Sequence, residues 1–252
     1  MFAKLHKTLI SAGEILRTHW NRSYSTRVKA DGSPVTPADL EVSEFVTAAL
    51  QEHFSYPVVS EENVPIWEMR RDYTTYWLLD PLDGTKEFIG RYGDFSICIA
   101  LIRNKKPILG VIYAPALNIM YYAGENVGAF CYDQGKKERI GHKTPIQVVA
   151  MTSRFHNDPK VAEFCQKNAI QHTYIAGGAL KYCYLAEGKG SVYIRYNKMK
   201  EWDVAPGEII LREAGGCLLT LEGENLVYNN ETLSVPPFIA TAYGVASASF
   251  DV

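Results

Sequence analysis

Apolar residues at Phe2, Leu5, Leu9, Ala12 and Leu16 recur every three or four positions, which predicts an amphipathic helix at the start of the chain. The polar stretch RVKADGSPVT follows. TPADLEVSEFVTAAL then predicts a second helix, with Thr36 as candidate N-cap and Pro37 suited to the first turn. YPVVS and TYWLLD are short apolar strands, each running into an acidic cluster. FSICIALIRNKKPILGVIYAP predicts two long strands around a charged turn, and IMYYAG and GAFCYD extend the meander. Beyond about residue 145 the pattern becomes an alternation: PKVAEFCQKN helix, HTYIA strand, GALKYCYLAEG helix, SVYIRY strand. DVAPGEIILREAGG is a further helix with a Gly-Gly stop, and CLLTL a further strand. The expectation is an α/β (α+β) fold of stacked helix and sheet layers. It divides into an N-terminal α+β part, residues 1–145, and a C-terminal α/β part, residues 146–252.

A chain of 252 residues has ample material for a core. Its formal net charge of −2 excludes the basic field that a nucleic acid polymer needs. No apolar run reaches the length of a transmembrane segment, and the first residues lack the apolar core of an export signal. The five cysteines (Cys98, Cys131, Cys165, Cys183 and Cys217) are odd in number, scattered and without a CxxC pair. Reduced thiols in a cytoplasmic protein are the expectation, with monomer or homodimer left open.

Acidic residues gather where elements start or stop. Thr36-Pro37-Ala38-Asp39 opens a helix and Ser60-Glu61-Glu62 ends a strand. Asp80-Pro81-Leu82-Asp83-Gly84-Thr85 ends the next strand, and Trp202-Asp203 opens a later helix. Each has an ordinary explanation. Thr36 with Asp39 has capping-box spacing, Asp203 suits an N-cap, Asp83-Gly84 is a common turn pair, and Glu61-Glu62 suits a solvated strand end. Taken together they allow another reading. Strand ends that carry carboxylates can converge at one edge of a sheet, where ligand crevices form. Like charges packed there raise one another's pKa until cations neutralise them. An all-oxygen donor set suits hard divalent ions, Mg²⁺ above all. The six histidines are dispersed, which argues against zinc.

Within the turn, Pro81 rigidifies the backbone. The D-x-x-D spacing can aim two carboxylates at one space, and the Leu82 carbonyl between them adds an oxygen. Gly84 permits close backbone approach. The N–H groups of Gly84 and Thr85 lead into a short helix, a natural anion seat. Cations beside an anion seat point to phosphate.

DPLDGTKEF, VVSEE, SPVTPAD, KPILGVIYAP and EWDVAPGEIILREAGG together span nearly the whole chain. In this set the chain resembles the lithium-sensitive, Mg²⁺-dependent phosphatase superfamily of inositol monophosphatase. The Lys86-Glu87 continuation resembles its bacterial 3′(2′),5′-bisphosphate nucleotidase branch. The resemblance implies a five-layer α-β-α-β-α sandwich and two or three Mg²⁺ ions. It implies that Glu61, Asp80 and the Leu82 carbonyl hold one ion, and that Asp80, Asp83 and Asp203 hold a second. Glu61 would reach a third through water. Asp39 and Thr85 match the pair that orients and deprotonates the attacking water. Glu61, Leu82, Asp83, Gly84, Thr85 and Asp203 also border the substrate in this resemblance. One run departs from the branch: Gly-Ser-Ser-Leu-Lys there is Gly177-Gly178-Ala179-Leu180-Lys181 here, without the hydroxyls that would touch sugar or a second phosphate. Gly177, Lys181 and Arg195 remain as phosphate or base contacts. The ordinary reading of the two cations is a solvated surface.

The implied reaction is hydrolysis of adenosine 3′,5′-bisphosphate to AMP and phosphate without a covalent intermediate. That would tie the chain to sulfate assimilation, where this nucleotide is a by-product. Some relatives sit at the inner face of the bacterial membrane, which makes peripheral attachment a further implication. The alternatives are an inositol or sugar monophosphatase of the same superfamily, and a non-enzymatic module that binds phospho-metabolites or divalent ions. The presence of both Asp39 and Thr85 favours hydrolysis. A haloacid-dehalogenase phosphatase is disfavoured. The aspartates here are spaced D-x-x-D rather than D-x-D, and a proline follows Asp80 and restricts its backbone.

Overall fold

The structure is a computed structural model that describes every residue except 23–25, 30, 31, 33, 156 and 157. Ala30, Asp31 and Ser33 of the polar stretch, the last of them in SPVTPAD, thus lie outside the described residues. The opening apolar pattern forms α1 (Phe2–Trp20), with Leu5, Leu9, Ala12 and Leu16 buried along one stripe. The short strands β1 (Arg27–Val28) and β2 (Pro34–Val35) pair antiparallel. Thr36 then caps α2 (Pro37–His53), which has Pro37 in its first turn. Next come β3 (Val58–Ser60), α3 (Trp67–Arg70), β4 (Thr75–Asp83) and α4 (Thr85–Ile89). The meander follows as β5 (Ser96–Arg103), β6 (Lys106–Ala114), β7 (Ile119–Gly124), β8 (Gly128–Asp133) and β9 (Lys136–Ile140). Strands β3 to β9 lie in chain order in one seven-stranded sheet. All its pairs are antiparallel except β3 with β4.

The remaining chain forms β10 (Val149–Thr152), α5 (Pro159–Lys167), β11 (His172–Ile175), α6 (Leu180–Ala186), β12 (Val192–Arg195), β13 (Met199–Lys200) and α7 (Glu201–Glu213). It closes with β14 (Cys217–Thr220), β15 (Ser234–Val235) and β16 (Phe238–Thr241). The second sheet has the order β11-β10-β12-β16-β14. Strands β9, β10, β15 and β16, like β1, β2, β13 and the short helix α3, go beyond the elements that the apolar pattern predicts. The first, KKERI, is charged at nearly every position, and the others are too short to show alternation.

Alternation along the strands separates the layers, because successive side chains point to opposite faces. On one face Trp77, Leu79, Ile97, Ile99 and Leu101 meet Leu5, Leu9, Val42 and Val46 of α1 and α2. On the other, Tyr76, Leu78, Cys98 and Ala100 meet Leu180, Ile209 and Ile210 of α6 and α7, backed by Tyr193 and Phe238 of the second sheet. Beyond that sheet, Val192, Ile194 and Ile239 pack on Phe164 of α5. The layers run helix, sheet, helix, sheet, helix, the five-layer sandwich expected.

The central helix α7 lies tight on β6 at Gly110. A Cβ added at Gly110 would sit 2.4 Å from Ile209 Cγ2 and 2.6 Å from the Pro206 carbonyl oxygen. Both neighbours belong to a buried helix that cannot retreat. Gly110→Ala is expected to lower stability by about 1–3 kcal/mol, the range for overpacking a core. Denaturant melts of the two proteins check this, and an unchanged midpoint would show that α7 has room to shift.

Candidate active site

Parallel pairing of β3 with β4 puts both C-terminal ends at one edge. Ser60 lies opposite Leu79, and the Glu61 N–H donates to the Leu79 carbonyl at 2.9 Å. Glu61 therefore arrives beside Asp80. Pro81 cannot donate to a ladder, and the β4/β5 register shifts between Asp80 and Asp83 at that point. The Leu82 N–H turns back to Asp80 Oδ1 at 2.9 Å. Asp203 comes from the far half of the chain, in the first turn of α7. That turn is anchored by Glu201, which is fully buried and accepts N–H bonds from Asn229 at 2.9 Å and Asn230 at 3.0 Å. The result is a cluster in which Glu61, Asp80 and Asp203 each offer a carboxylate oxygen within 4.8 Å of the others. The cleft above it is about 290 Å³ and is also lined by Leu82, Asp83, Gly84, Thr85, Lys181 and Arg195.

The sequence profile of the inositol monophosphatase family matches residues 2–248. The chain belongs to the inositol monophosphatase family. It is 40% identical over 223 residues to the 3′(2′),5′-bisphosphate nucleotidase CysQ of Salmonella typhimurium, covering 85% of this chain and 88% of that protein. The crystal structure of CysQ from Bacteroides thetaiotaomicron superposes with a TM-score of 0.83 at 35% identity, over 93% of this chain and 94% of the other. A Thermotoga maritima IMPase superposes with a TM-score of 0.78 at 27% identity, over 95% of this chain and 90% of the other.

Inositol monophosphatase family enzymes are metal-dependent, and the donor set here fits a hard cation: every candidate ligand is oxygen. Asp80 is only 2% exposed. Burial first, then Glu61, Asp83 and Asp203, pushes its carboxyl well above the usual carboxylate range. Burial, followed by the Asp83 and Glu61 charges, does the same to Asp203. Burial also raises Asp83, against the Ala179 N–H, Lys181 and Ser96, which hold it down. The cluster thus carries an electrostatic penalty that a bound cation relieves.

The ordinary readings of several residues give way here. Glu61 and Glu62 are half-buried rather than a solvated strand end, and Lys29 Nζ donates to both, at 2.6 and 2.7 Å. Asp203 is not an N-cap, because α7 begins two residues earlier and Lys200 holds the cap position. Lys181 is no surface charge. It is 3% exposed, with Nζ donating to the Gly178 carbonyl at 2.6 Å and the Ala176 carbonyl at 3.2 Å. Burial lowers its pKa to about 8. Arg195 is half-buried, and its Nε has no hydrogen-bond partner among the described residues.

The capping box of α2 is present, and it leaves part of Asp39 over. Thr36 N–H and Oγ1–H both donate to Asp39 Oδ2, at 2.8 and 2.6 Å. Asp39 Oδ1 faces Thr85, whose hydroxyl lies 3.5 Å from it and 3.2 Å from the Leu82 carbonyl. Burial raises the Asp39 carboxyl to about 6, while its Thr36 hydrogen bonds pull it down.

Gly177 does not line the cleft, and its N–H is committed to Asp94 at 2.8 Å. Gly178 has φ +39°, and a Cβ there would stand 1.9 Å from Asp83 Oδ2. A side chain at 178 is therefore excluded while Asp83 keeps this position, which accounts physically for one missing hydroxyl. Two groups around Asp83 were invisible to sequence reasoning. Ser96 Oγ donates to Asp83 Oδ2 at 3.1 Å, and Cys98 Sγ lies 3.9 Å from the same oxygen. Both sit on the neighbouring strand, so only the β4/β5 register reveals them.

Proposed function

We propose that this chain is a Mg²⁺-dependent 3′(2′),5′-bisphosphate nucleotidase that converts adenosine 3′,5′-bisphosphate to AMP and phosphate. The observation that carries the reading is a cleft lined by charges of both signs: the carboxylates Glu61, Asp80, Asp83 and Asp203 together with the cations Lys181, Arg195 and Lys198. A substrate with one phosphate drawn to cations on the carboxylates and a second anionic group drawn to the lysines and the arginine matches both. Relatives that carry this activity in their names cover most of the chain at about 40% identity, the Salmonella typhimurium CysQ at 40% among them.

Glu61, Asp80, Asp83 and Asp203, with the Leu82 carbonyl, would hold two or three ions. Bound there, the ions supply positive charge that neutralises the carboxylates, attracts phosphate and makes water more acidic. The protein's own groups do the rest. Thr85 Oγ1 accepts a hydrogen bond from the attacking water, and Asp39 takes the proton through Thr85. With a pKa of about 8, Lys181 stays largely protonated at neutral pH and presents its charge to the second anionic group. Arg195 adds a guanidinium whose Nε has no hydrogen-bond partner among the described residues. Among the described residues no helix is long and apolar enough to cross a membrane. A cytoplasmic setting is proposed on the unpaired thiols.

A phosphate-release panel with Mg²⁺ tests the substrate. Adenosine 3′,5′-bisphosphate is expected to be turned over with kcat/KM at least about tenfold above inositol 1-phosphate, the scale on which one satisfied charged contact discriminates. The reverse order, or a preference for fructose 1,6-bisphosphate, would make the chain an inositol or sugar phosphatase of the same family.

A further inference from the structure

Asp94 lies between α4 and β5, outside the cleft. The geometry points to Asp94 as a positioning residue for Asp83, acting through the turn that runs from Ala176 to Ala179. The inference rests on the reading of Asp83 as a metal carboxylate given above.

Asp94 Oδ2 accepts two bonds from the second half of the chain, the Gly177 N–H at 2.8 Å and Arg154 Nη2–H at 3.0 Å. Arg154 is itself seated on the Tyr92 ring, with its guanidinium carbon 4.2 Å from the centroid. The turn that begins at Gly177 has little freedom, since a Cβ there would lie 2.2 Å from the Asp94 carbonyl oxygen. Two residues on, the Ala179 N–H donates to Asp83 Oδ2 at 2.5 Å. Ser96 donates to the same oxygen from the opposite strand. Asp83 Oδ2 is thus held from both sides. The carbonyls of Ala176 and Gly178 in the same turn hold Lys181 Nζ. One carboxylate outside the cleft thus sets the turn that aims a metal carboxylate and a substrate cation. Partners hydrogen-bonded directly to a metal ligand cost about 10–100-fold in metal affinity when removed, and Asp94 acts on such a partner, the Ala179 N–H.

The test uses chelator-stripped full-length protein titrated with Mn²⁺ by calorimetry, alongside the Mg²⁺ dependence of kcat and KM. Asp94→Ala is expected to weaken Mn²⁺ binding by about 10–100-fold and to raise the Mg²⁺ concentration for half-activity more than it lowers kcat. Asp94→Asn keeps an oxygen acceptor for the Gly177 N–H and is expected to bind Mn²⁺ close to wild type. Asp83→Asn is the reference. If Asp83→Asn loses Mn²⁺ affinity and Asp94→Ala does not, the positioning role is overturned and the metal reading stands. If Asp83→Asn binds Mn²⁺ as wild type does, the metal reading fails and takes the inference with it. A merely structural role would lower the melting temperature of Asp94→Ala and Asp94→Asn alike and leave Mn²⁺ affinity per folded molecule unmoved, which also overturns the proposal. Should Asp94→Ala not fold, Asp94→Ser, too short to reach Gly177, carries the same expectations.

Discussion

Phosphate release falls to background in excess EDTA and returns when Mg²⁺ is added. The reason is the charge of the cleft. Glu61, Asp80 and Asp203 offer oxygens within 4.8 Å of one another, and an anionic substrate is repelled from them until cations invert the sign. Ca²⁺ is expected to inhibit, because it takes looser and higher coordination than Mg²⁺. The same charges make the metal-free protein pH-sensitive in a definite direction. The carboxyls of Asp39, Asp80, Asp83 and Asp203 all have folded-state pKa values above the ordinary 3.8, with Asp39 at about 6. A raised folded pKa means that the folded form holds its protons more tightly than the unfolded chain. The stability this contributes is fully present below the ordinary carboxylate range and is lost as pH rises through the raised values. Metal-free protein should therefore melt at lower temperature at pH 7.5 than at about pH 5, and Mg²⁺ should raise the melting temperature more at the higher pH. Full activity in excess chelator would end the metal reading. A metal-free melting temperature that rises across this window would show that the carboxyls are not held above their usual range.

Local pattern reaches some parts of this molecule and not others. The stripe Leu5, Leu9, Ala12 and Leu16 is visible in sequence because one helix face meets one sheet, and period 3.6 survives intact. Asp80, Leu82, Asp83, Gly84 and Thr85 are visible because one short run of sequence carries them, although that run is the bulged end of β4 and the start of α4 rather than a single turn. Glu61 and Asp203 required the inference that separate element ends converge, and the β3/β4 register and the start of α7 show how they do. Lys181 illustrates the limit. A lysine in a helix reads as solvated, and its burial becomes visible only once α6 is packed between the two sheets. Lys29, one cation in a polar stretch, gains meaning only through its bonds to Glu61 and Glu62. Ser96 and Cys98 depend on a strand register that shifts at Asp80 and Asp83. What local pattern cannot supply is long-range pairing.

Thr85→Ala lowers kcat by about 10²–10⁴, the usual contribution of general-base assistance, and leaves the melting temperature nearly unchanged. The capping box makes this separation possible. Thr36 engages Asp39 Oδ2, whereas Thr85 faces Oδ1, so the cap survives loss of the Thr85 hydroxyl. Asp39→Asn differs, since it disturbs both jobs. It should lose comparable rate and also up to about 1 kcal/mol of stability, the worth of a helix cap. The double variant Asp39→Asn/Thr85→Ala should be little slower than the slower single one, because the two groups act as one unit. The pH profile supplies an independent readout. Asp39 must be ionised to take a proton, and burial places its pKa at about 6. At saturating Mg²⁺ the wild-type rate should fall as pH drops through the Asp39 pKa, which cations on Glu61 bring below its metal-free position, and Asp39→Asn should abolish that limb. Mn²⁺ binding should survive in Thr85→Ala, whose hydroxyl is no proposed ligand, so a loss of rate there cannot be a loss of metal. Near-normal kcat in both single variants, with only the Asp39 variant melting lower, would return Asp39 to a helix cap and Thr85 to a hydroxyl held by the Leu82 carbonyl.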